Sequence, residues 1–132
     1  MAKVLIYEDG EDDLIARYAS LTSQHDVHVR HDPRGDFGPS SLKWENERFR
    51  KHGFNPDYFQ NGYGNPKEES ADVYFVDGLK GYCFEILKNL PRDRAFINTD
   101  SPSIVDEAKQ KDFNVVGNES VDVIVERIIG RN

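Results

Sequence analysis

The chain has 132 residues, 37% of them hydrophobic and 31% charged, with 24 acidic against 17 basic side chains and a net charge of −7. That length suits one domain with a single core, and the composition excludes an intrinsically disordered chain. The acidic balance argues against nucleic-acid or anionic-membrane binding, since both draw their affinity from basic side chains, and the lone Cys83 excludes an internal disulfide and fits a reducing compartment.

The chain opens directly into Val4-Leu5-Ile6-Tyr7, an apolar run of the kind that forms a strand buried on both faces, and the run ends in Glu8-Asp9-Gly10. No apolar stretch reaches membrane-spanning length, so a cytoplasmic location is expected. Helical spacing follows over residues 12–23, with Leu14, Ile15, Tyr18 and Leu21 on the apolar face and Arg17 on the other. Residues 25–30 read as a short second strand.

From Asp32 to Ser70 the character changes. Turn-rich segments lead to a polar helix over 42–52, capped by Ser40 or Ser41 and stopped by Gly53. Beyond it, residues 54–66 read as a loop crowded with Phe54, Tyr58, Phe59 and Tyr63, which either packs onto the sheet or forms, with Trp44, a partner-docking surface or a lid over the acidic edge. Regular pattern returns with Val73-Tyr74-Phe75-Val76, which ends in Asp77. A helix over 82–89, a strand over 94–98, a helix started by Ser101-Pro102, a strand over 114–116 and a last helix capped by Ser120 and ended by Gly130 complete the chain.

Strands alternating with helices imply an α/β fold: a five-stranded parallel sheet, covered by helices on both faces, with right-handed crossovers. Chemistry in such sheets collects just past the carboxyl ends of the strands. If the first and third strands are neighbours, Glu8, Asp9 and Asp77 converge there. Like charges so gathered need a cation, and an all-oxygen set suits Mg²⁺ or Ca²⁺. Taken singly, each acid also suits a solvated turn, and Thr99 a helix entry. Three acids and Thr99 at three separate strand ends favour a Mg²⁺-capable pocket.

Over about residues 3–31 and 71–129 the chain resembles the receiver family of response regulators, with the segment over 32–70 as an insertion in a single receiver-like, flavodoxin-like domain. Val4-Leu5-Ile6-Tyr7-Glu8-Asp9 resembles the family's first strand and acidic pair, and Val73-Tyr74-Phe75-Val76-Asp77 its third strand and acceptor aspartate. Phe96-Ile97-Asn98-Thr99 resembles the fourth strand with its switch hydroxyl. The resemblance implies Mg²⁺ held by Glu8, Asp9 and Asp77, phosphorylation on Asp77, Thr99 as the switch residue, and a histidine kinase or downstream effector as partner. Departures from the family pattern point to a divergent or pseudo-receiver with weak or absent phosphorylation. Gly117 stands in place of the family lysine, leaving Lys80 or a residue of the insertion as its substitute. Asp100 follows Thr99, and Asn114 replaces the switch aromatic.

The expected function is therefore a signalling domain acting through protein contacts. The alternatives are a phosphorylated single-domain response regulator and a metal-dependent Toprim-like nuclease or phosphotransfer enzyme. For the nuclease, Leu79 stands where the second aspartate belongs. His25, His28 and His31 scatter over both faces of a short strand and are expected to be structural rather than metal ligands.

Overall fold

The computed structural model describes residues 1–8, 10–31, 47–58 and 63–130. The strands are β1 (Lys3–Tyr7), β2 (Asp26–His31), β3 (Asn55–Tyr58), β4 (Val73–Val76), β5 (Ala95–Ile97) and β6 (Asn114–Val115). They form one sheet in the order β3-β2-β1-β4-β5-β6, and every pairing is parallel. The helices are α1 (Glu11–Tyr18), α2 (residues 47–51), α3 (Cys83–Leu87), α4 (Pro102–Gln110) and α5 (Val121–Ile129).

Among the described residues the sheet thus has six strands, not the five expected. The added strand lies in the stretch read as an aromatic loop: Asn55–Tyr58 pairs with β2 in the register His28↔Asn55 to His31↔Tyr58. Its Pro56 removes a ladder donor, which a strand tolerates at the sheet edge, where β3 sits. Residues 42–46 of the expected polar helix, its capping serines and Trp44 lie outside the described residues. Gly53 does follow that helix at φ +90°, a left-handed conformation that glycine adopts without penalty.

Apolar residues along β1 alternate between two clusters. Val4 and Ile6 pack with Leu14 and Tyr18 of α1 and with Ile124, Val125 and Ile128 of α5. Leu5 and Tyr7 pack with Cys83, Ile86 and Leu87 of α3 and Ala108 of α4. This is why β1 and β4 read as unbroken apolar runs: neither side of the strand meets water. Each such side chain contributes roughly 1.5–3 kcal/mol of transfer free energy.

The helix starts have local causes. Ser101 Oγ accepts from the Ile104 N–H and Ser120 Oγ from the Val123 N–H, so α4 and α5 each begin with a capped amide. Of the crowded aromatics, Phe54 and Tyr63 are buried, and Tyr63 meets Tyr7 edge-on at 6.3 Å between ring centroids. Among the described residues no helix is long and apolar enough to cross a membrane.

Candidate functional site

The chain builds β1, β2 and β3 outward in one direction and then crosses to β4 on the other side of β1. The strand order reverses between β1 and β4, and a crevice opens at such a switch point outside the carboxyl ends. Hydrogen bonds carry the ladders one residue past the strands. The Asp77 N–H donates to Tyr7 O at 2.9 Å, Asn98 N–H to Val76 O at 2.9 Å, and Glu8 N–H to Arg30 O at 3.3 Å. Glu8, Asp77 and Asn98 therefore stand side by side on the rim.

The sequence reading paired Glu8 with Asp77, and the structure brings their carboxylates to a common partner. Arg17 Nη1 lies 3.3 Å from Glu8 Oε2, 3.2 Å from Asp77 Oδ1 and 3.3 Å from the carbonyl oxygen of Asn98. Its Nη2 donates to Asp100 Oδ2 at 2.8 Å. Glu8 is almost wholly buried (2% exposed), whereas the Asp100 side chain is 95% exposed. Burial works against the charge on Arg17, but Glu8, Asp13 and Asp100 together with the hydrogen bond to Asp77 outweigh it, and its pKa lies above the ordinary arginine value.

Arg17 thus corrects its expected place on the outer face of the first helix. It lies three residues after Leu14 and four before Leu21, a spacing that puts all three on one side of a helical stretch. That spacing is the signal by which sequence reasoning could have found it. Next to it Tyr18, fully buried against Phe75 at 5.5 Å, accepts a hydrogen bond from Asn98 Nδ2 at 3.0 Å. Burial raises the Tyr18 hydroxyl far above its ordinary range, which leaves it a neutral hydrogen-bonding group. Asn98 is a second member of the site that the sequence reading missed.

Thr99 stands beside Asp77 through Gly78. A Cβ on Gly78 would come within 2.8 Å of both Thr99 Oγ1 and Ile104 Cδ1, so only glycine allows the two loops this close. Thr99 Oγ1 accepts the Ser101 N–H at 3.2 Å, a helix-entry contact. Lys80 is exposed at φ +55° in the turn Leu79–Gly81. Asp9, the third expected metal ligand, lies outside the described residues.

Whether Glu8 and Asp77 fit a divalent cation turns on what their oxygens already accept. Glu8 Oε1 takes the Gly10 N–H at 3.0 Å and Asp77 Oδ2 the Leu79 N–H at 3.3 Å, while the two remaining oxygens face Arg17. Every oxygen of the pair has a donor, and a guanidinium fills the gap between the carboxylates. Mg²⁺, which demands near-octahedral oxygen ligation at about 2.0–2.1 Å, would have to take the place of Arg17 to reach both carboxylates.

A cleft of about 420 Å³ opens beside Arg17, walled by Ser20, Asn98, Asp100, Gly117 and Glu119. Gly117, at φ +62°, leaves the space beside it open. His25 Nδ1 accepts the Ala2 N–H at 3.1 Å, His28 Nε2 pairs with Asp26 at 2.9 Å, and His31 meets the Phe49 ring edge-on at 5.3 Å. No protein-family model and no curated protein matches the chain.

Proposed function

We propose that the chain is a receiver-like signalling domain that works through contact with a protein partner rather than through turnover. The observation that carries this reading is the adjacency of Glu8 and Asp77 at the switch point of a parallel sheet, with Thr99 on the next strand end. The alternation of β1 between two clusters supports a flavodoxin-like arrangement with helices on both faces. A carboxylate pair bridged by an internal guanidinium is a rim held in one arrangement, suited to keeping a shape for a partner. Val123 on α5, 54% exposed, is the large apolar side chain the last helix offers such a partner. The buried lone Cys83 suits a reducing, cytoplasmic setting.

The second reading is a response regulator phosphorylated on Asp77, favoured by the close approach of Thr99 to the Asp77–Gly78 turn. It requires Arg17 to leave, freeing Glu8 and Asp77 to take Mg²⁺ together with Asp9. Beryllofluoride with Mg²⁺, followed by amide chemical shifts, separates the two. The contact-only reading predicts the same spectrum with and without it. Shifts around Asp77 that Asp77→Asn abolishes would establish the second reading. A Mn²⁺-dependent nuclease activity lost in Glu8→Gln would displace both.

A further inference from the structure

The geometry points to Arg17 as the resident cation of the strand-end site: its guanidinium, in place of a divalent ion, holds Glu8 and Asp77 together in the native protein. This assignment goes beyond the signalling reading and does not depend on it.

The contacts have the form of a counter-ion rather than of a seated ion pair. A guanidinium matched to one carboxylate makes two parallel bonds of about 2.7–2.9 Å. Arg17 instead sets a single nitrogen, Nη1, among three acceptors at 3.2–3.3 Å, from three different strand ends. Its Nη1 is nearly equidistant from the three acceptors, sharing its charge among them. The oxygens that do not face it turn away to the Gly10 and Leu79 amides.

The surroundings fit the same role. Three carboxylates, those of Glu8, Asp77 and Asp100, face one guanidinium, so the site keeps a negative balance and has every reason to retain its cation. Asn98 adds a carbonyl dipole in the same sense. Arg17 and Gly117 line the same cleft, so the guanidinium supplies positive charge to it. A divalent ion entering between Glu8 and Asp77 would meet a like charge at contact distance, and could bind only by expelling Arg17 from all four partners.

The test is a Mn²⁺ titration, read by water-proton relaxation, on the wild type, Arg17→Met, and Arg17→Met combined with Asp77→Asn. The wild type is expected to show no saturable site at millimolar Mn²⁺ and the same melting temperature with EDTA as with Mg²⁺. Arg17→Met should gain a Mn²⁺ site at least about tenfold tighter than any in the wild type, and Asp77→Asn should remove it. An Asp77-dependent site in the wild type as tight as that of Arg17→Met would overturn the assignment, as would a folded Arg17→Met that binds no Mn²⁺. If Arg17→Met does not fold, Arg17→Lys decides. Folded Arg17→Lys without a Mn²⁺ site supports a role for the charge, whereas Arg17→Lys that unfolds or binds Mn²⁺ overturns it.

Discussion

Two arginines sit at neighbouring strand ends of this sheet and do different work. Arg30, at the end of β2, lays its fork on Glu69, with Nε 3.0 Å from Oε1 and Nη2 2.8 Å from Oε2. Both side chains are largely buried, at 9% and 13% exposure. Arg17 spreads longer contacts over Glu8, Asp77 and the Asn98 carbonyl, and anchors its outer nitrogen on a solvent-exposed aspartate. The first is a clamp that fixes β2 to the turn before β4. The second is a shared positive charge that offsets part of the repulsion in an acidic rim. Short, paired, planar contacts mark structure, whereas long, shared contacts from one nitrogen mark a place where charge balance came before fit.

The comparison breaks most visibly at the clamp. Arg30→Met leaves Glu69 buried beside Tyr7 and Tyr74 with its charge uncompensated, and is expected to cost about 3–5 kcal/mol, read as a lower urea midpoint at unchanged slope. Arg17→Met should cost less, about 2–3 kcal/mol in EDTA, because water reaches the Asp100 side of the site. Its cost should shrink when Mg²⁺ is supplied, while that of Arg30→Met should not. Equal losses, both blind to Mg²⁺, would make the two arginines the same kind of clamp.

A smaller effect sharpens the contrast from the backbone side. Gly78→Ala drives a methyl into Thr99 Oγ1 and Ile104 Cδ1 at 2.8 Å, so it should destabilise by about 1–2 kcal/mol. The disturbance should appear in amide shifts around Thr99 and Asp77 and leave the Arg30–Glu69 region unchanged.

The smallest effect concerns Cys83, which packs in the same cluster as Tyr7 and Tyr74. Burial first, and then the charge of Glu107, push its thiol up from 9.0 to about 11. A thiol raised in the folded state holds its proton longer there than in the unfolded chain. Its contribution to stability is therefore complete below pH 9 and lost as pH rises toward about 11. Iodoacetamide should leave Cys83 unmodified in the native protein at pH 8 and react on addition of denaturant. Rapid native labelling would show that this side of the sheet opens more easily than its packing implies.

The sequence made the parallel sheet legible through Val4–Tyr7 and Val73–Val76, because a strand buried on both faces cannot carry polar alternation. It also showed the caps at Ser101 and Ser120, where an amide donor needs a side-chain oxygen. β3 was not legible: Asn55, Pro56 and Asp57 are all depleted in strands and no apolar alternation marks the segment, which is held by pairing with β2 rather than by its own pattern. The rim acids could be read from their places after apolar runs. Arg17 was hidden by a coarse division of its helix into two faces, although its spacing from Leu14 and Leu21 placed it on the inner side. Asn98 gave no signal, since its contribution to Arg17 is a backbone carbonyl that any residue supplies.

The most direct measurement of the central claim is a double-mutant cycle between Arg17→Met and Asp77→Asn, by urea denaturation in EDTA. If the guanidinium is the shared counter-ion of the strand ends, the two substitutions should couple by at least about 1 kcal/mol, with the double variant less damaged than the sum of the singles. Additive losses within about 0.3 kcal/mol would mean that Arg17 and Asp77 do not interact in solution, and the account of the site would be wrong.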